Sequence, residues 1–437
     1  MLTLLLIGVL AWAFNIQPVE ASGTIYIRAD GSIDPPAANI TSVDNVTYTF
    51  TDNNYGSIVV ERGSITIDGN GYVLQGSGKG IGFYWIGINN VTIKNTNIKG
   101  FNCGVYIDES SYDVISRNNI TNNGYGGVCL YGSSCAVVSG NDIANNGNEG
   151  VVLQPFESSP TGSNSPSYHS QRYHISSNNN VVSGNNITGN RVGVRLYGDS
   201  DNNVISGNKI TNNRYCGVYL EGSGNNVISG NNITNNVFGV GFPGFSGKRF
   251  YHNNFVDNAE QVRFDTSGCI DVWDDGYPSS GNYWSDYADA DLYCGPNQDI
   301  PGNDGVWDHP YVIDSYNNDS YPLVKPYVPG NLSVSISTDK AIYHAGEKMR
   351  LGIDVSNPDS VKYLCFAIGV TLPDSSVYVY MHKHSVILPI GLDYANSSFQ
   401  VITLPNLTPG KYTWHAAFLE RTTHTLIVED TAEWQFS

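Results

Sequence analysis

Apolar residues come in short alternating bursts through the first two thirds of the chain, and the bursts recur in a fixed phrase. It reads Val-Ile-Ser-Gly-Asn-x-Ile-Thr-Asn-Asn, followed by Gly-Val-x-Leu. Ile98, Ile120 and Ile143 are spaced 22 and 23 residues apart, Ile187, Ile210 and Ile233 by 23 each, and Phe255 follows 22 later. A period in the low twenties predicts a stacked solenoid of short strands. Within Gly-Val-x-Leu, alternation sends Val128 and Leu130, Val194 and Leu196, and Val218 and Leu220 into the core. The x residues then form an outward ladder of Tyr106, Cys129, Val152, Arg195 and Tyr219. Strand pairing at about 4.8 Å gives about nine or ten coils and a body about 45 Å long.

The asparagines keep register too. Asn118, Asn141, Asn185, Asn208, Asn231 and Asn253 hold one position, and Asn123, Asn146, Asn190, Asn213, Asn236 and Asn258 another. Asn accepts the left-handed backbone of a sharp turn, and its amide can bond the amide of the next coil. These ladders are read as structural. The ten Asn-x-Ser/Thr sequons follow largely from the repeat, so as glycosylation signals they are permissive.

The spacing from Ile143 to Ile187 is about two periods without a second apolar phrase. Residues Glu157 to Asn178 are therefore expected to loop out from one coil. Because long loops in compact domains are commonly functional or disordered, His169, Arg172, Tyr173 and His174 become ligand-gripping candidates beside Tyr106, Arg195 and Tyr219. After the last repeat the texture changes to Trp273-Asp274-Asp275-Gly276-Tyr277-Pro278 and Gly281-Asn282-Tyr283-Trp284-Ser285-Asp286-Tyr287. Such aromatics suit a cap over the open end of a solenoid. The acidic stretch that follows offers Asp289, Asp291, Asp299, Asn303, Asp304 and Asp308 as oxygen donors for calcium, though not at EF-hand spacing.

Composition narrows the function. Net charge is -18 with no Lys/Arg cluster, which excludes nucleic acid as a partner. Leu2 to Phe14 is apolar, and Val19-Glu20-Ala21 offers a small-residue cleavage site. Residues 1–21 thus read as a secretory signal peptide, with an uncleaved anchor as the alternative. The mature chain is expected to lack a transmembrane helix and to be secreted or cell-surface. Of the seven cysteines, Cys103 and Cys216 lie too many coils apart to bridge. Cys129 with Cys135, and Cys269 with Cys294, are candidate pairs, and Cys365 reads as a buried free thiol. No CxxC-type zinc spacing is present.

Beyond the linker Tyr327 to Gly330 the Asn repeat stops. Strand-like runs from Leu332 to Val428, broken by Asn-Pro, Pro-Asp and Pro-Gly turns, predict an immunoglobulin-like sandwich over residues 331–437. His382 and His384 alternate there on one strand face. The resulting plan is all-β: signal peptide 1–21, right-handed parallel β-helix 22–270, aromatic and acidic cap 271–326, linker 327–330 and sandwich 331–437.

Several ordered blocks carry a family resemblance. Thr24-Ile25-Tyr26-Ile27-Arg28-Ala29-Asp30-Gly31-Ser32-Ile33, Ile65-Thr66-Ile67-Asp68-Gly69-Asn70-Gly71 and Tyr251-His252-Asn253-Asn254-Phe255 are three of them. The two Trp blocks of the cap, with Asp304-Gly305-Val306-Trp307-Asp308 and Pro310-Tyr311-Val312-Ile313, complete the set. Together they resemble NosD-like right-handed β-helix proteins of the kind common in archaeal secreted proteins, over roughly Ser22 to Pro326. The resemblance implies a pectin-lyase-like fold found in carbohydrate-binding and sugar-processing proteins. It also implies copper binding, which fits poorly with two methionines after cleavage and scattered histidines. The reading that follows is a carbohydrate-binding or structural surface protein whose partner is a polysaccharide or glycoprotein glycan, attached to the surface through the sandwich. Its competitors are a polysaccharide lyase, hydrolase or epimerase and a copper-delivery factor. Glu149, Asp199, Asp201 and Glu221 are the available central carboxylates, and they read as isolated.

Overall fold

The computed structural model describes residues 23–157, 174–242, 244, 246–265, 268–277, 279–327, 332–357, 362–388, 392–421 and 424–437. The proposed signal peptide lies outside them. The solenoid has three long sheets of eleven, ten and ten strands, in line with the nine or ten coils expected. The first sheet runs through Cys103–Asp108, Gly126–Tyr131, Glu149–Gln154, Val192–Tyr197 and Cys216–Glu221, all parallel neighbours. The Val-Ile-Ser segments build the second sheet, and the Asn-Ile-Thr segments build the third. Val128, Leu130, Val194, Leu196, Val218, Leu220 and the Ile98-to-Phe255 column are fully buried in one continuous core. Each coil thus covers the apolar face of the next, and burial of each Ile or Leu contributes about 1.5–3 kcal/mol.

Both Asn ladders form, and their geometry refines the expectation. The Asn185 backbone N–H and Nδ2 donate to Asn208 Oδ1 at 2.9 and 3.0 Å, and Nδ2 also donates to the Val138 carbonyl at 2.8 Å. The pattern repeats from Asn118 to Asn253 and continues into the cap through Asn282, ending on the buried carboxylate of Asp319. The left-handed backbone, however, falls one residue earlier, on Gly140, Gly184, Gly207 and Gly230 in the first ladder and on Asn122, Asn145, Asn212 and Asn235 in the second. The turn therefore belongs to the preceding residue, and the ladder Asn is there for its amide.

A third ladder joins Asn180, Asn203 and Asn226. It extends past Lys248 to Asp271 and Asn317. Its sequence mark is the Asn just before Val181-Val182-Ser183, Val204-Ile205-Ser206 and Val227-Ile228-Ser229.

The solenoid does not stop at residue 270. Tyr283–Trp284 adds one more parallel strand beside Asn254–Val256. Trp284 then stacks between Phe255 and Tyr311, and Phe250 stacks on Trp273. These rings close the end of the apolar core.

The C-terminal region forms a three-stranded antiparallel sheet and a five-stranded, mainly antiparallel sheet. Both contribute to one separate core containing Met349, Leu351, Phe366, Trp414 and Trp434. Among the described residues, no helix is long and apolar enough to cross a membrane. The cysteines are unbridged. Cys129 does not face Cys135; its sulfur lies 2.7 Å from that of Cys103 on the neighbouring coil, in space left open by Gly126, the residue that pairs with Cys103.

Candidate functional site

The outward ladder of the first sheet is as expected. Tyr106 pairs with Cys129, Cys129 with Val152, Val152 with Arg195, and Arg195 with Tyr219. Cys129 and Val152 point outward but are buried in a small outer cluster with Cys103. Tyr106, Tyr125 and Tyr131 lean over them. Long aromatic side chains reach across one strand spacing, so they roof the short side chains beside them. The rings of Tyr84 and Tyr106 lie 5.7 Å apart, and those of Tyr106 and Tyr131 stack at 4.9 Å. One end of the face is therefore a platform of three tyrosines with half-buried rings.

Further along, Arg195 joins residues that the sequence separates widely. Its guanidinium donates to Glu149 Oε1 at 3.2 Å and to Glu221 Oε2 at 2.8 Å. It lies 5.4 Å from the centre of the Tyr219 ring and 5.5 Å from that of Tyr197. Glu149 and Glu221 are thus not isolated: coil stacking places them on either side of one arginine. The Glu149 side chain is 1% exposed, and its Oε2 has no hydrogen-bond partner. Burial lowers the Arg195 pKa, but hydrogen bonds to Glu221 and Glu149 more than offset it, so the guanidinium stays charged. Two carboxylates against one guanidinium leave this part of the face with net negative charge, so it is poorly suited to anions. Gly241 makes room for Tyr219, since a Cβ there would meet the ring at 2.9 Å.

Asp108 was not singled out by sequence. It occupies the next outward position after Tyr106, in register with Tyr131 and Ile86. The side chain is buried, its Oδ1 lacks a partner, and burial followed by the nearby Glu109 charge pushes the carboxyl up to about 6. Burial also holds the Tyr106 and Tyr131 phenols above the ordinary range and raises Tyr219 to about 12. These hydroxyls remain protonated at neutral pH and can both donate and accept hydrogen bonds. The signal that could have found Asp108 and Tyr131 is periodicity: like Glu221, each lies two residues beyond the x position, on the same face.

The loop expected at Glu157 to Asn178 begins and ends as a short antiparallel pair, Phe156 with Ile175 and Glu157 with His174. Its base packs at the edge of the tyrosine platform, where a Cβ on Gly132 would lie 2.8 Å from Phe156 Cβ. His174 is exposed, with Nε2 3.4 Å from Asp199 Oδ2. His169, Arg172 and Tyr173 lie outside the described residues.

The acidic set in the cap is distributed. Asp291 accepts the N–H groups of Asp304 and Gly305, and Asp308 accepts those of Leu292 and Tyr293. Asp304 accepts from Val306 and Gln298, and Asp289 is 2.6 Å from His309 Nδ1. These oxygens brace turns, as Asx motifs do. Among the described residues, no three of these aspartates form a group that could hold a metal ion. The one group of three His, Cys, Asp or Glu donors found among the described residues lies in the C-terminal sheets.

A family model described as periplasmic copper-binding protein (NosD) matches residues 163–289. Another, described as right handed beta helix region, matches residues 79–179. The chain carries a NosD-like right-handed β-helix. No curated protein matches the chain. Among solved structures, this NosD-like helix is similar to a double mutant of the periplasmic alginate epimerase AlgG. The identity is 17% over 50% of this chain and 60% of that chain, with a TM-score of 0.38. Alginate lyase from Paenibacillus is similar at 16% identity over 57% of this chain and 98% of that chain, TM-score 0.31. Tailspike protein 2 of Escherichia coli O157:H7 bacteriophage CAB120 is similar at 13% identity over 91% and 67%, TM-score 0.37. The chain spans less than two thirds of the epimerase's length. These are likenesses of fold.

Among the described residues, the Cys and His donors of the NosD-matched segment form no group of three that could hold copper. Cys216 is buried against the Val218 carbonyl, His252 bonds the Ser279 carbonyl, and His174 faces Asp199. Among the described residues, these groups do not converge with a third donor. Soft copper sites bring Cys, His or Met together at one centre.

Proposed function

We propose that the outward face of the first sheet binds a neutral, hydroxyl-rich glycan. On this reading the protein acts outside the cytoplasm as a carbohydrate-binding or adhesive component, with its C-terminal sheets available for surface attachment. The observation that carries the proposal is the single-face run of Tyr84, Tyr106 and Tyr131, followed by Arg195 and Tyr219. Tyrosine faces stack on the apolar C–H faces of sugar rings, and their hydroxyls bond sugar hydroxyls. Arg195 is occupied by Glu149 and Glu221, which disfavours a polyanionic chain. A glycan array probed with the full chain tests this. Binding to neutral glycans should weaken about tenfold, ~1.4 kcal/mol, in Tyr106→Ala and in Tyr219→Ala. Equal binding by wild type and both variants would overturn it.

Asp108 favours a second reading, a polysaccharide lyase, hydrolase or epimerase. A buried carboxyl held near 6, with one unpartnered oxygen beside tyrosines, is suited to proton transfer near neutral pH. Release of reducing ends or unsaturated products, lost in Asp108→Asn, would support it. Absence of turnover on a panel of neutral and uronate polymers would leave the binding role.

A further inference from the structure

We infer that the C-terminal sheets carry a transition-metal site built from Cys365, His382 and His424, suited to Zn²⁺. The Cys sulfur and one ring nitrogen from each His lie within 4.8 Å of one another. The three residues come from separate places in the fold. Cys365 is on strand Lys362–Thr371, His382 is on Val377–Leu388, and His424 is in the turn between Gly410–Glu420 and Leu426–Phe436.

Register explains how they meet. Leu364, Phe366, Ile368 and Val370 enter the core, so Cys365 and Ala367 point to the opposite, outer face. His382 pairs directly with Ala367 and shares that face. Next to this pair the ladder slips. Leu364 pairs with Val386 but Phe366 with Lys383, so two steps on one strand oppose three on the other. Such a bulge re-aims side chains at a sheet edge, and Val377–Leu388 is the edge strand of the five-stranded sheet. His424 has a left-handed φ of 55° in a turn closed by hydrogen bonds between its N–H and the Glu420 carbonyl and between the Glu420 N–H and the Thr425 carbonyl. His424 thereby stands within reach of Cys365 and His382.

The outcome is unusual for an outer sheet face. Cys365 is fully buried while both histidines are exposed. A thiol beneath two accessible imidazoles resembles a three-ligand metal site with one open position. Zn²⁺ with Zn–N near 2.0–2.1 Å and Zn–S near 2.3 Å holds tetrahedral donors roughly 3.5 Å apart, and small χ rotations of exposed histidines bring the present donors that close. A thiolate and two imidazoles select a borderline transition ion over Ca²⁺ or Mg²⁺. On binding, the Cys365 thiol releases one proton to become the sulfur ligand, and water completes the tetrahedron. The site lies outside the NosD-matched segment and is independent of the proposed glycan face.

The test uses the full chain without a histidine tag, dialysed against chelator and titrated with Zn²⁺ alone. One equivalent should bind, and substitution with Co²⁺ should give a thiolate-to-cobalt charge-transfer band. Zn²⁺ affinity should fall at least about tenfold in His382→Ala and in His424→Ala, whose exposed side chains leave folding intact. The charge-transfer band should vanish in Cys365→Ser. Binding below one equivalent, affinity unchanged in the two histidine variants, or a cobalt spectrum without the sulfur band would each overturn the proposal.

Discussion

Asn208→Ala removes one rung from the centre of the first Asn ladder. Asn208 Nδ2 donates to the Val182 carbonyl at 2.8 Å and to Asn231 Oδ1 at 3.0 Å, and its Oδ1 accepts the Asn185 N–H and Nδ2. Alanine keeps the bond from the residue 208 N–H to Asn231. It strips the Asn185 N–H of this partner and takes one donor from the Val182 carbonyl. Asn208 is 1% exposed, so water does not replace the lost amide without a cavity. Each buried group left unsatisfied costs about 1–3 kcal/mol, which gives a loss of about 2–5 kcal/mol. Neighbouring Lys209→Ala, at an exposed position, should stay within about 0.5 kcal/mol of wild type. Urea unfolding followed by far-UV circular dichroism measures both. Hydrogen exchange should place the added opening in the coils beside residue 208, as expected when each coil touches only its neighbours. A loss below about 1 kcal/mol for Asn208→Ala would refute the view that the amides couple the coils.

Three buried carboxyls set a pH dependence: burial raises Asp113 and Asp319 to about 7 and Asp108 to about 6. Their folded values lie above the unfolded value near 3.9, so their stabilisation is full below that value and is lost as pH rises through about 6–7. His252, held down by burial, works in the opposite direction but as a single group. The melting temperature should therefore fall between pH 5 and pH 8, and a flat or rising profile would contradict this. Arg195→Met should destabilise by about 3 kcal/mol in urea, because it leaves the Glu149 carboxylate buried without its cation. Adding Glu149→Gln to that variant should recover part of the loss, and no recovery would separate the effect from the ion pair.

The repeated phrase made the fold legible at the level of individual side chains. A strict 22–23-residue period fixes which residues stack, so the ladder from Tyr106 to Tyr219 and both Asn columns could be listed before any coordinates. What it left open was the division of labour within Ser-Gly-Asn, because either Gly or Asn can take a left-handed turn. Gly takes it, and the amide is left for the ladder. The Glu149–Arg195–Glu221 group was hidden because its members are 46 and 26 residues apart, and only stacking unites them. Closely spaced aspartates in the cap offer oxygen donors, but spacing says nothing about direction. Asp291 and Asp308 each accept turn N–H groups. Cys365, His382 and His424 come together through a strand bulge and a hairpin turn, neither of which sequence periodicity reports.

The central claim is that one face of the first sheet holds the ligand, and hydroxyl-radical footprinting tests it most directly. With a neutral oligosaccharide selected on the array, the account predicts protection of Tyr84, Tyr106, Tyr131 and Tyr219. Tyr316 and Tyr378, which are exposed elsewhere, should react at unchanged rates. Protection confined to the cap or the C-terminal sheets, with the four tyrosines unchanged, would contradict it.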